Sequence, residues 1–215
     1  MLFWRLRGRS GAALGASPGA TWQFYVRGGA TAVRSAGGTT LDFNGDGYAD
    51  PAVGAFVAAA SAGRVHVFFG SASGLSTGTL VELPGPDGGR RNFGSQVSGV
   101  GDFNGDGFSD LAVGAPAQPE DTGRAHVYLG SATGLAVAGR VDLTFPDGVG
   151  AFFASSLCAL GDLDGDGFGE LAVAAPQRNR LLLHAGSRTG ISAGAARTLT
   201  GPDGGEFGMG VGGAR

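Results

Sequence analysis

The sequence predicts an all-β protein, built from a unit of four short antiparallel strands that recurs along the chain, with almost no helix. Three observations predict it. A nine-residue acidic stretch occurs three times, starting at Asp42, Asp102 and Asp162, and so at intervals of 60 residues. The segments around it alternate apolar residues with period two, and none sustains a period of 3.6. Glycine accounts for 44 of 215 residues without a three-residue period, while hydrophobic residues still make up 42%. That composition excludes collagen and simple disorder and suits a turn-rich β protein. Four-stranded sheets repeated in sequence and covered on both faces suit radial packing in a partial β-propeller of antiparallel blades. A β-solenoid is the structural alternative, with rungs normally shorter than this repeat.

The acidic stretches read DFNGDGYAD (Asp42 to Asp50), DFNGDGFSD (Asp102 to Asp110) and DLDGDGFGE (Asp162 to Glu170). Each puts side-chain oxygens at positions one, three, five and nine and glycine at four and six. A hard cation such as calcium (Ca2+) takes about 6 to 8 oxygens, and alternate residues of a tight loop can point inward together. Glycine supplies the positive φ angles that such a loop needs. The candidate ligands are Asp42, Asn44, Asp46 and Asp50 with the carbonyl of Tyr48; Asp102, Asn104, Asp106 and Asp110 with that of Phe108; and Asp162, Asp164, Asp166 and Glu170 with that of Phe168. Up to three calcium ions are expected. Asp, Asn and Gly are also ordinary turn residues, but three copies in one register favour the metal reading. Glu170 sets the third loop apart, because its side chain is longer than the aspartate elsewhere.

After each loop comes a small-residue strand: PAVGAF from Pro51, LAVGAP from Leu111, LAVAAP from Leu171. A second strand and turn follow, GRVHVFFGSASGL from Gly63, GRAHVYLGSATGL from Gly123 and NRLLLHAGSRTGI from Asn179. Val65, Val67 and Phe69 fall on one face and His66 and Phe68 on the other, so both faces are apolar enough to be covered. A further strand leads to a Pro-Asp-Gly turn at Pro86, Pro146 and Pro202. Phe93-Gly94, Phe153-Ala154 and Phe207-Gly208 come next, each followed by a strand that leads toward an acidic loop. The unit is thus four strands, with the acidic loop between the first and second.

Ten of the eighteen acidic residues lie in the three loops, so the formal charge of −3 hides +7 on the rest of the chain. Three calcium ions would bring the total to about +3. The basic residues are dispersed and form no nucleic-acid recognition motif. Cys158 has no partner for a disulfide or a CxxC site and is expected to be a buried thiol. No stretch reaches the roughly 18 apolar residues of a membrane span. Residues 1–21 make a poor signal peptide and are expected to be poorly structured.

With Phe-Gly, acidic loop and Gly114-Ala115-Pro116 in register, residues 22–215 resemble the FG-GAP repeats of integrin α-chain propellers and their bacterial relatives. The resemblance places repeats at about 26–85, 86–145 and 146–201, with a partial one at 202–215. It implies that each acidic loop binds calcium in the hairpin between the first two strands of a blade. Departures fall at Val33-Arg34, where Phe-Gly belongs, at Phe56 in place of proline, and at Ala154, Ala174 and Glu170. Family propellers have seven blades, so the chain is expected to be a piece of one, from a truncated or split reading frame. Unpaired strand edges would then favour self-association or pairing with remaining blades on another chain.

The expected function is a non-enzymatic, extracellular or cell-surface scaffold for binding or adhesion, stabilised by structural calcium and recognising a protein or glycan ligand. The alternatives are the non-catalytic propeller of a larger secreted enzyme and a lectin-like carbohydrate-binding module. His66, His126 and His184 sit at strand positions and suggest no catalytic constellation. Trp4 and Trp22 do not repeat, so a sugar platform in every blade lacks support. An EF-hand is excluded by Val53, Val113 and Val173 at its twelfth position, where a bidentate glutamate belongs.

Overall fold

Three sheets form where the repeats place them. The computed structural model describes residues 2–5, 9–10, 13–14, 21–24, 41–75, 78, 80–117, 122–202 and 204–212. The chain divides into compact units Met1–Arg34 and Ser35–Arg215. In the first, β1 (Leu2–Arg5) pairs with β4 (Thr21–Phe24) and β2 (Arg9–Ser10) with β3 (Ala13–Leu14), both antiparallel. The remainder of residues 1–21 lies outside the described residues, as does the first strand of the first repeat.

In the second unit, β5 (Ala52–Gly54), β6 (Arg64–Phe68) and β7 (Leu80–Pro84) form the first sheet. The second contains β8 (Gln96–Gly101), β9 (Asp110–Ala115), β10 (Arg124–Tyr128) and β11 (Val141–Thr144). The third contains β12 (Leu157–Gly161), β13 (Glu170–Ala175), β14 (Arg180–Ala185) and β15 (Arg197–Thr200). Every sheet is an antiparallel meander in chain order. Helix among the described residues of this unit is confined to a turn at Ala58–Ser61 and a 3-10 turn at Pro176–Arg178. A register shift ends β8 between Gly99 and Gly101, and another ends β12 between Ala159 and Gly161. Such bulges turn the first strand of a sheet into its acidic loop.

The sheets stack face to face, and strand periodicity decides which residues serve which neighbour. Leu111, Val113 and Ala115 of β9 join a core with Val65, Val67 and Leu83 of the first sheet. Ala112 faces the other way, with Ala125, Val127 and Leu143, into a core shared with Leu171, Val173 and Leu182 of the third. The second sheet is therefore covered on both faces, which is why β9 is buried along its whole length. On the first sheet, among the described residues, His66 and Phe68 of β6 stay half-buried beside fully buried Val65 and Val67. The first strands β8 and β12 lie against one another, as radial packing about an axis requires. These are blades of a partial β-propeller. Cys158, on β12, is half-buried rather than buried, because this inner strand packs less tightly than the central β13.

A backbone seam locks each sheet to the next. Gly63 and Gly123 hold positive φ and leave no room for a Cβ against the carbonyls of Phe93 and Phe153. Gly54 similarly faces Gly94, Gly114 faces Ala154, and Ala174 faces Gly208. At least one member of every pair is glycine, so the departures at Ala154 and Ala174 fall opposite glycines that make space for them. Ala154 nevertheless keeps the left-handed conformation of Gly94 and Gly208, at φ 64°, at a cost on the order of 1 kcal/mol.

Charged clips reinforce the seam. Asp87, in the turn after the first sheet, pairs with Arg124 of the second at 3.2 Å, and Asp147 pairs in the same way with Arg180 of the third. Asp87 Oδ2 also lies 3.6 Å from Nε2 of buried His126, whose Nδ1 donates to Asp142 at 2.8 Å. Burial holds the His126 imidazole below its usual pKa, against the opposing pull of Asp142 and Asp87.

The seam makes a direct prediction. Gly123→Ala should destabilise the fold by about 3 kcal/mol, from overpacking and left-handed strain together. Gly194→Ala, where an added Cβ would meet only Ser192 Oγ at 3.9 Å and φ is not positive, should stay within about 0.5 kcal/mol. Urea titration of both variants checks this.

Candidate metal centre

Each acidic loop first closes on its own backbone. Asp42 Oδ1 accepts from the N–H groups of Gly45 and Asp46 at 2.6 and 3.1 Å, and Oδ2 accepts from Gly47 at 2.9 Å. Asn44 Oδ1 accepts from Asp46 N–H at 3.0 Å, and Asp46 Oδ1 from Tyr48 N–H at 2.9 Å. The second and third loops repeat most of this pattern around Asp102 and Asp162. The glycines at positions four and six all have φ between 71° and 93°, a conformation in which any other residue is strained.

The structure thereby brings positions one, three and five together on the exposed side of each loop and sets position nine apart. Asp50 and Asp110 are fully buried. Asp50 accepts from Phe43 and Gly70 N–H at 2.8 and 2.9 Å, and Asp110 from Phe103 and Gly130 N–H at 2.9 and 2.8 Å. Each ties its loop to the turn that follows the third strand of the same sheet. Burial raises the pKa of both, and the neighbouring aspartates add to the rise against these backbone bonds. Asp110 is pushed up to about 7.

The third loop differs at the residue that already distinguished it. Glu170 Oε2 accepts from Leu163 N–H at 2.6 Å, but Gly186 N–H bonds the carbonyl of Gly169 instead of the glutamate. Glu170 Oε1 is left buried without a hydrogen-bond partner. Burial raises the pKa of this carboxyl, helped by Asp164, Asp166 and Asp162. Those three aspartates offer carboxylate oxygens that all lie within 4.8 Å of one another. In the first two loops an asparagine amide relieves such crowding, since Asn44 and Asn104 donate to Asp46 and Asp106 at 3.0 and 2.9 Å. Asp164 has no proton to donate. No arginine pairs with a loop carboxylate among the described residues. Crowded carboxylates and an orphaned buried oxygen fit a hard divalent cation, whose charge would offset the repulsion.

Loops of consecutive sheets also touch. Phe108, at position seven of the second loop, lies over Gly45 at position four of the first, where a Cβ would come within 2.7 Å of its ring. Phe168 covers Gly105 in the same way. Asp42 and Ser109 exchange hydrogen bonds at 3.1 and 2.9 Å. Sequence reasoning assigned position seven only a carbonyl. The aromatic there in all three copies was the available signal for an inter-loop contact.

Meandering sheets packed face to face, each with an acidic loop between its first two strands, define a segment of a repeat-built β-propeller. The second and third sheets carry FG-GAP repeats: the family model so described matches residues 93–128 and 153–193. The chain is 36% identical over 155 residues to integrin alpha-4 of Xenopus laevis, covering 69% of this chain and 14% of that protein. It is 37% identical over 152 residues to integrin alpha-PS5 of Drosophila melanogaster, covering 66% and 15%. With integrin alpha-V of Gallus gallus it shares 31% over 178 residues, covering 74% and 16%. The chain thus spans 14–16% of the length of these relatives. No helix among the described residues is long and apolar enough to cross a membrane.

Proton linkage at position nine yields the second prediction. The folded state holds a proton on Asp110 up to about pH 7, whereas the unfolded chain releases it near 3.8. The contribution of this group to stability is therefore present at low pH and lost as pH rises through 7. His126 and His184, whose pKa values burial lowers, act in the opposite direction below about pH 6.5. Comparison with Asp110→Asn isolates the carboxyl. In chelator, the midpoint of that variant relative to the parent should rise between pH 4 and 7 in thermal unfolding.

Proposed function

We infer that the chain is a calcium-stabilised, extracellular adhesion-type module whose propeller surface binds a protein or glycan, with structural ions in the three acidic loops. The relation to integrin alpha chains and the FG-GAP repeats supports the adhesion-type reading. The observation that carries the metal is the third loop, where three aspartates crowd together beside the unpartnered Glu170 Oε1. Positions one, three, five and nine, with the carbonyl of position seven, would supply the ion's oxygens, Glu170 through its unpartnered Oε1 in the third loop. An ion held by one loop organises the entry to β5, β9 or β13 and takes part in no reaction. Calcium outside cells is concentrated enough to fill modest sites of this kind.

An ion that binds only the folded state adds RT ln(1 + [L]/Kd), about 2.7 kcal/mol at a hundredfold excess over Kd. Calcium should therefore raise the unfolding midpoint above its value in chelator, and magnesium should do so less. Asp46→Ala, Asp106→Ala and Asp166→Ala should each remove about a third of the calcium-dependent gain. A midpoint indifferent to calcium in differential scanning calorimetry would sink the metal assignment.

A further inference from the structure

The turn that leaves the second sheet departs from the repeat at its first residue. Gly85, Phe145 and Gly201 stand at matching places, because the residues before them pair with Arg64, Arg124 and Arg180 at the starts of β6, β10 and β14. The two glycines leave no room for a Cβ, which would come within 2.3 Å of the Ala62 carbonyl oxygen or 2.4 Å of Asn179 Oδ1. Phe145 carries a whole ring there, with its centroid 6.2 Å from that of Phe153. The connection from β13 to β14 departs as well. It is shorter than its counterparts between β5 and β6 and between β9 and β10, and it closes in a 3-10 turn that ends on Arg178. Arg178 Nη2 donates to the carbonyl of Val149.

The two departures meet. Phe145 and Arg178 line one cavity of about 270 Å³, together with Asp147 and Arg180. Arg180 is already paired with Asp147, whereas no carboxylate among the described residues pairs with Arg178. Two guanidinium groups and one carboxylate leave the lining a single formal positive charge, and Phe145 gives it an apolar surface. A guanidinium presents its donors as a planar fork that matches a carboxylate. Asp147 opposes a second negative charge, which disfavours a phosphate dianion. The volume lies just below the roughly 300 to 1,000 Å³ of pockets for drug-sized ligands, so the occupant is small. We propose that this cavity binds a small organic monocarboxylate, with its carboxylate on Arg178 and an apolar body against Phe145. Gly85 and Thr122 occupy the corresponding places between the first and second sheets, which makes the site particular to the seam between the second and third. It stands independently of the calcium and adhesion readings.

Saturation-transfer-difference NMR on the full chain tests this, with benzoate as the observed ligand and acetate and inorganic phosphate as competitors. Benzoate should bind with a Kd on the order of 1 mM. Acetate lacks the apolar body and phosphate carries the extra charge, so each should displace benzoate only at concentrations at least about tenfold higher. Arg178→Ala should weaken benzoate about tenfold, whereas Arg188→Ala, in the turn after β14, should leave it unchanged. Both arginines are exposed, and circular dichroism melts verify that the variants fold. A parent that does not bind benzoate would overturn the proposal, as would phosphate that competes as well as benzoate itself. So would an Arg178→Ala variant that binds like the parent, or an equal loss in both variants, which marks diffuse charge attraction. Benzoate binding that disappears in chelator would overturn it too, since the carboxylate would then be a ligand of a loop ion.

Discussion

No sheet of this protein can bury both of its faces alone, and that constraint governs the rest of the structure. A four-stranded meander with apolar residues on both sides needs a neighbour on each. The second sheet has two and is dry throughout β9 and most of β10. Burying a valine or leucine contributes roughly 1.5 to 3 kcal/mol relative to leaving it exposed, so the shared cores dominate the stabilisation. The close backbone approach at Gly63, Gly123 and Gly114 is what brings the faces near enough to interdigitate. The Asp87–Arg124 and Asp147–Arg180 pairs fix alignment more than they add stability, since both arginines are partly exposed.

The acidic loops depend on the same stacking and give something back to it. The second and third begin where a bulge ends the first strand, and the first and second are tied to the turn after the third strand by the aspartate at position nine. That clasp places a carboxylate in a dry environment close to other carboxylates, a costly arrangement. Packing joins consecutive loops at position seven, where the aromatic side chain covers the glycine of the loop before.

Much of this was legible in the chain. Period two placed the strands, and the repeat spacing placed the loops and their glycines. The pairing of Phe-Gly with Gly-Ala was visible as a pattern but not as a contact, because Phe93 lies 30 residues from Gly63 and meets it only once two sheets are stacked. The same distance hid the compensation between Gly114 and Ala154, which by sequence alone looked like a departure from the repeat. Cys158 was misjudged for a related reason: an apolar run says that a strand is inside, not how near it lies to the axis.

The sequence by itself determined the element types, their order, and the chemistry of the loops, because these follow from local periodicity and from which residues tolerate a positive φ. Tertiary structure alone decided which face of each sheet is covered, where the position-nine carboxyl points, and that Glu170 keeps an oxygen without a partner. Those outcomes depend on backbone atoms from separate repeats approaching within van der Waals distance, and no local preference encodes that approach.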